Sequence, residues 1–246
     1  MSEQLINEKL DELNSITDME TGKLTIPVSV VLLEAETLYE KCVKDKEALV
    51  LAGLNWNLVD DLPLRTDALS ISQSRWAAEY KAYQDCQAEW KVASPEAFNL
   101  RDELVHHLYH AFYSIPNEYA KVRRIAEGGT NADMLQDLSD LAELGMRHTE
   151  KLQAIGVDLS LLDTARAKSF ELRNLLARVN GVQGESSPSL SIRNKAYTHL
   201  KEAVDEIRRV GQYVFWRDEK KFKNYRSQYV RQLNEPRKEK EIQTEA

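Results

Sequence analysis

Three histidines and a glutamate lie close together in the middle of the chain and could bind a metal ion. They are Glu103, His106, His107 and His110. A helix would place His106 and His110 one turn apart on one side, where two imidazoles can bind the same ion. Glu103 and His106 also have the Glu-x-x-His spacing of carboxylate metal centres in helical bundles. The spacing therefore makes Glu103, His106 and His110 a candidate metal site.

The apolar residues of the same segment favour another interpretation. On a helical wheel they form one arc, whose centre lies almost opposite Glu103, His106 and His110. The three donors are then expected to face solvent, whereas the ligands of metal-binding bundles project inward. We therefore expect adventitious binding of Zn²⁺ or Ni²⁺ rather than a purpose-built centre, and the sequence assigns no cofactor. The arc contains Phe98, Leu100, Leu104, Val105, Leu108, Ala111, Phe112 and Ile115.

A weaker copy of this segment occurs near the C-terminus. Both copies follow a Ser-Pro pair, at Ser94 and at Ser187, and six matched positions are then 92 residues apart. His107 and His199 are one matched pair at the edge of the apolar arc, so we expect two half-buried histidines with one ring nitrogen satisfied. The other matched pairs are Arg101 with Arg193, Asp102 with Asn194, Leu108 with Leu200, Ala111 with Ala203 and Ile115 with Ile207.

The segments that precede the two copies also match, in the same order. Residues 38–54 resemble residues 141–157 at a separation of 103, and residues 67–75 resemble residues 158–166 at a separation of 91. Helical chains share a common use of Leu, Glu and terminal Gly, which explains part of this similarity. Three matched segments in one order favour duplication of a three-helix unit.

The low content of chain breakers predicts long helices. The chain of 246 residues has 9 glycines and 6 prolines, and in no stretch do apolar and polar residues alternate as they do in a strand. We predict an all-α fold, an elongated antiparallel bundle of about six long helices. Residues 1–22 form a short helix or arm, 23–127 and 128–217 form the two repeats, and 218–246 form a basic-aromatic helix and a disordered tail.

The basic-aromatic segment, residues 215–226 followed by Tyr229, is the main candidate for an interaction surface. It combines positive charge with aromatic rings, which suits a protein partner or single-stranded nucleic acid. A helix that folds back on the bundle explains the same pattern, because Phe222, Tyr225 and Tyr229 share one helical face. Together with Trp56, in an irregular loop, the proposed surface contains Trp216, Lys220, Lys221, Phe222, Lys223, Tyr225, Arg226 and Tyr229.

Composition and motifs narrow the class of function. The net charge of −7 argues against a general nucleic-acid binder. Two cysteines without a CxxC pair, no signal-like N-terminus and no long apolar run predict a cytoplasmic protein that does not enter the membrane. No phosphate-loop, dinucleotide, nucleophile-elbow or zinc-protease motif occurs. We therefore expect a non-enzymatic scaffold that binds a protein partner or itself, with nucleic-acid binding or metal binding as alternatives.

The stretch AYTHLKEAVDEIRRVGQYVFW, residues 196–216, resembles the C-terminal signature of a group of uncharacterised bacterial all-helical proteins. The specific resemblance covers these residues alone. It implies a bacterial origin and a helical fold, and it implies no chemistry.

Overall fold

The structure, a computed structural model, describes residues 2–181 and 187–234, with side chains from residue 9 onward, and it confirms the all-α class. These residues contain helices and connecting turns but no strand. The helices are α1 (Ser2–Ser15), α2 (Val28–Lys44), α3 (Lys46–Leu51), α4 (Asn57–Asp60), α5 (Leu62–Ala111), α6 (Pro116–Ile125), α7 (Asn131–Met146), α8 (Thr149–Ala154), α9 (Ser160–Gly181), α10 (Pro188–Val214) and α11 (Glu219–Asn224). The predicted tail, residues 235–246, lies outside the described residues.

Local sequence signals explain most of the helix ends. Pro116 lies after the end of α5 and is the first residue of α6, where its missing N–H costs nothing. Thr130 and Asp133 form a capping box at the start of α7, each side chain accepting a hydrogen bond from the other residue's backbone N–H. Gly53 and Gly156, with φ of +90° and +78°, end α3 and α8 in the left-handed conformation that glycine tolerates.

One predicted helix start is wrong. The pair of Ser94 and Pro95 predicts the beginning of a new helix, but α5 continues through it as a single helix of 50 residues. A proline inside a helix leaves the carbonyl four residues earlier without its hydrogen bond. Here that carbonyl belongs to Lys91, and both Lys91 and Pro95 are exposed. Water can replace the missing hydrogen bond, so the helix continues.

The chain divides into two compact units. Unit 1 contains the described residues of 1–79 and 185–246, and unit 2 contains those of 80–184. The first part of α5 thus belongs to unit 1 and the remainder to unit 2. These units differ from the two consecutive halves, 23–127 and 128–217, that the repeat predicts. That the halves are related by duplication stays a prediction.

The third helix of each predicted half lies in the unit that contains the first two helices of the other half. In unit 2 the end of α5 packs with α7 and α9, and in unit 1 α10 packs with α2 and the start of α5. The matched positions Leu108 and Leu200 are both fully buried, one in each core. Each core is therefore completed by a helix that the sequence repeat assigns to the other half.

The segments that the repeat aligns have the same local geometry. A helix of 17 residues, α2, is followed by the short α3, and a helix of 16 residues, α7, is followed by the short α8. Each pair ends in a left-handed glycine and one backbone hydrogen bond that closes the turn. Leu54 N donates to the Leu49 carbonyl at 3.1 Å, and Val157 N donates to the Leu152 carbonyl at 3.0 Å.

Candidate interaction surface

The residues of the candidate metal site do not converge. Glu103, His106 and His110 are all exposed on α5, and their donor atoms do not form a group within 4.8 Å among the described residues. His107 lies beside them with its side chain 31% exposed, and its Nε2 is 3.8 Å from Glu103 Oε1. The geometry gives the segment the properties of a solvated helix face.

The matched histidine His199 has a different environment. It is only 8% exposed, and its Nε2 lies 3.1 Å from Glu12 Oε2. Burial is the main cause that lowers the pKa of His199 to about 4, and the charge of Arg65 lowers it further. The imidazole is therefore neutral near pH 7. The repeat places His107 and His199 at equivalent positions, but only one of the two is enclosed.

Four charged residues surround His199 and form what we call the His199 cluster: Lys9, Glu12, Asp61 and Arg65. Lys9 is 4% exposed, and its Nζ lies 2.6 Å from Asp61 Oδ1 and 2.9 Å from Glu12 Oε1. Arg65 Nε lies 2.7 Å from Asp61 Oδ2, and an N–H of its guanidinium donates to the His199 carbonyl at 2.7 Å. Burial acts to raise the pKa of Asp61, but the hydrogen bonds from Lys9 and Arg65 outweigh it and lower the pKa.

The His199 cluster is an ion-pair network rather than a metal centre. Glu12, Asp61 and His199 offer donor atoms within 4.8 Å of one another, as a metal site would. However, the Lys9 ammonium already contacts both carboxylates, and Arg65 contacts one of them. Sequence reasoning missed these partners because the cluster joins residues up to 190 positions apart, and no spacing rule links them.

The basic-aromatic segment is folded back on unit 1 by Tyr225. This side chain is fully buried, its ring stacks on Phe215 with 5.4 Å between centroids, and its O–H donates to Asp45 Oδ2 at 2.9 Å. Gly211 of α10 makes room for it, since a Cβ at Gly211 would overlap the Tyr225 ring. Burial, with the neighbouring Cys42 and Asp45, raises the pKa of Tyr225 far above its ordinary value.

Further residues of the segment are held by the same unit. Lys221 Nζ donates to Asp45 Oδ1 at 2.6 Å, and Tyr229 N donates to Glu34 Oε1 at 3.0 Å. Glu34 also pairs with Arg208 at 2.7 Å. Phe222 is half-buried. These contacts are internal and support the interpretation that the segment folds back on the bundle. They leave little free surface on Lys221, Phe222, Tyr225 and Tyr229.

The predicted residue Trp56 is also partly used by the fold. It is half-buried against the core of unit 1, and Lys46 Nζ lies 4.5 Å above its ring. The short α4 begins at the next residue, so the loop is more ordered than the sequence indicated. Trp56 therefore offers little free apolar area to a partner.

Other residues of the segment point outward. Trp216 is 64% exposed, and the Arg217 guanidinium lies 4.2 Å above its ring. Lys220, Lys223 and Arg226 are exposed as well, although Lys223 pairs with Glu219 at 2.5 Å and the Arg226 guanidinium lies 5.8 Å from the Phe222 ring.

Tyr213, one turn before Trp216, is 72% exposed. Sequence reasoning missed Tyr213, although the sequence shows that it lies outside the apolar seam of α10 that faces the core. That seam contains Leu200, Val204, Ile207, Gly211 and Val214. We call Tyr213, Trp216, Arg217 and Lys220 the α10 tip surface.

The α10 tip surface has the chemistry of a binding face. Residues 213–220 contain two exposed aromatic side chains and two exposed cations, and Trp, Tyr and Arg are the residues enriched at the energetic centres of protein interfaces. The surface has no nucleophile with an adjacent base. Its geometry can recognise an apolar partner group flanked by negative charge.

Comparison with known proteins adds no relative. No family model matches the chain, and neither the curated proteins nor the solved structures contain a match to it. Over the residues that the structure describes, every helix is too short or too polar to cross a membrane.

Proposed function

We propose that this chain is a non-enzymatic helical scaffold that binds a protein partner through the α10 tip surface. The observation that carries the proposal is the exposure of Tyr213 and Trp216, at 72% and 64%, next to two aromatics that the fold buries or half-buries, Tyr225 and Phe215. One aromatic pair packs in the core of unit 1 or against it, and the other is mostly exposed. Covering an aromatic side chain contributes about 1.5–3 kcal/mol.

The expected partner offers an apolar group with acidic neighbours. Arg217 is already stacked on Trp216, so less side-chain freedom is lost on binding. Nucleic acid fits less well, because Lys221 and Lys223 are committed to Asp45 and Glu219. The overall charge of −7 would also repel a phosphate backbone.

We also infer that the scaffold arose by duplication and acts in the bacterial cytoplasm. The matched geometry of α2–α3 and α7–α8 supports duplication. The free Cys42 and Cys86 support a reducing compartment. Burial is the main cause that raises the pKa of the Cys42 thiol to about 12, which leaves it unreactive. The resemblance of residues 196–216 to bacterial helical proteins supports the origin.

Quantitative affinity capture from nuclease-treated extract tests the binding function. We expect one or more proteins to be retained by the wild type and lost with Trp216→Ser and Tyr213→Ser. Leu51→Ser is the matched control, because Leu51 is a 91% exposed apolar residue at the end of α3 in the same unit. Retention that all three variants share would contradict the proposal. Retention of nucleic acid before nuclease treatment, lost with Lys220→Glu, would favour the alternative.

A further inference from the structure

A second surface, independent of the α10 tip surface, lies in unit 2 between α7 and α9. It is a groove of about 520 Å³. Ser139 of α7 is one lining residue, and the others belong to α9. The α9 residues that line it are Asp163, Arg166, Ala167, Ser169, Phe170 and Arg173.

The groove follows from small residues where α7 and α9 touch. Ala165 and Ser169 of α9 are buried, and Ser169 Oγ donates to the Leu135 carbonyl of α7 at 2.6 Å. Short side chains let two helices approach closely and leave a depression beside the contact. Ala167 and Ser139 do not fill that depression because they are small as well.

The rim of the groove is a stripe of Arg166, Phe170 and Arg173. Spacings of four and three residues place these side chains on one side of α9. Phe170 is 73% exposed, so its ring contributes little to the core of unit 2. An exposed phenylalanine between two arginines has the composition of an interface centre.

The charge of the stripe is poorly compensated. Arg173 has neutral partners, with a guanidinium N–H 3.4 Å from Gln136 Oε1 and 3.2 Å from Ser169 Oγ. Arg166 forms no ion pair or hydrogen bond with the described residues. Asp163 is the one carboxylate among the lining residues. A partner that supplies two carboxylates could form ion pairs with both guanidinium groups at once.

The spacing of the stripe defines the shape of the partner. Arg166 and Arg173 are separated by two turns of α9, roughly 10 Å at 1.5 Å per residue. Two carboxylates seven residues apart on a second helix have the same separation, and an apolar residue between them would meet Phe170. We propose that this groove binds an amphipathic helix of a partner protein, with acidic residues at i and i+7 around an apolar residue at i+3 or i+4.

A display library of helical peptides with one randomised face tests the proposal on the full-length chain. The selection is run against the wild type, with removal of peptides that also bind Phe170→Ser. We expect enriched peptides with acidic residues two turns apart around an apolar residue. Their affinity should fall at least tenfold with Phe170→Ser and with Arg173→Glu. Circular dichroism should show both variants folded, because both side chains are exposed.

A charge exchange distinguishes docking from general attraction. The Arg166→Glu/Arg173→Glu variant should bind the selected peptide again once its two acidic residues are changed to lysine. Arg178→Glu, on the same helix with its side chain 59% exposed, should leave the affinity unchanged. Failure to enrich peptides over the Phe170→Ser counter-selection, or binding that ignores charge reversal at positions 166 and 173, would overturn the proposal.

Discussion

Unit 1 is completed by segments from both ends of the chain, whereas unit 2 is one uninterrupted stretch of it. In unit 1, α10 contributes apolar side chains to the core, and charged and polar contacts are added where α1 and α11 meet the unit, as in the His199 cluster and at Asp45. In unit 2, neighbouring helices meet mainly through apolar side chains, together with the buried pair of Arg101 and Asp137.

The difference shows two roles of side chains, which are to stabilise a core and to select the segment that docks on it. Apolar burial stabilises both cores but is not directional, so it does not select which distant segment docks. Buried ion pairs add little net stability over apolar contacts, but a mismatched one is costly. In unit 1 the charged contacts sit where sequence-distant segments meet, and we expect them to fix the register of α1 and α11.

The largest expected effect comes from cutting the chain. A fragment of residues 80–184 should fold by itself, because it contains the whole core of unit 2. A fragment of residues 23–127, the first predicted half, should not fold, since it lacks α10 for one core and α7 and α9 for the other. Urea unfolding followed by circular dichroism distinguishes them. A cooperative transition in 23–127 would show that the halves, not the units, are the folding bodies.

Breaking the buried pair of unit 2 should have the next largest effect. Arg101 Nε lies 3.0 Å from Asp137 Oδ2, and its guanidinium also donates to the carbonyls of Ala126 and Gly128 at 3.0 Å. Arg101→Met should reduce the free energy of unfolding by about 3–5 kcal/mol, because it leaves a buried carboxylate alone. Arg147→Met, which removes an exposed pair with Glu143, is the control and should cost at most about 0.5 kcal/mol.

Unit 1 should lose stability as the pH falls from about 6.5 to 4. The pKa of His199 is lowered to about 4 in the folded chain, so in this range the unfolded chain binds more protons. The loss should be at most about 3 kcal/mol. His199→Gln should flatten this part of the profile of unfolding free energy against pH. Equal slopes in wild type and His199→Gln would contradict the assignment.

A methyl group in the notch at Gly211 should have a smaller effect. Gly211→Ala places a Cβ against the ring of Tyr225, and overpacking of this kind costs about 1–3 kcal/mol. Gly181→Ala, at the end of α9, is the control because no atom of the described residues lies within 4 Å of the position that its methyl group would occupy, and it should not destabilise. Urea unfolding monitored by tryptophan fluorescence measures both. A neutral Gly211→Ala would mean that Tyr225 can leave its site at little cost.

Local features of the fold could be predicted from the sequence. Pro116, the Thr130–Asp133 capping box and the two left-handed glycines act through their own backbone and nearest neighbours, and each ends or begins a helix as its residue types favour. Pro95 is the exception. Its effect depends on whether water can reach the freed carbonyl, and that depends on burial.

The contacts that build the units could not be read in the same way. The end of α5 lies in unit 2 because α5 continues past Pro95 as one helix. The apolar pattern of a helix is the same whichever core the helix enters, so the sequence does not show which core that is. Lys9 and Asp61 are 52 positions apart and share no motif. Residue type alone makes both Trp216 and Tyr225 candidates in the basic-aromatic segment, and only their exposure in the structure separates them.

Light scattering coupled to size-exclusion chromatography tests the central claim most directly. Natively purified untagged protein is compared with Trp216→Ser at low and high salt, with absorbance recorded at two wavelengths. We predict a complex heavier than the 28.2 kDa chain that persists at high salt and is lost with Trp216→Ser, while the variant keeps its unfolding free energy within about 0.5 kcal/mol. A 28.2 kDa species in both proteins that carries nucleic acid at low salt and releases it at high salt would contradict the claim.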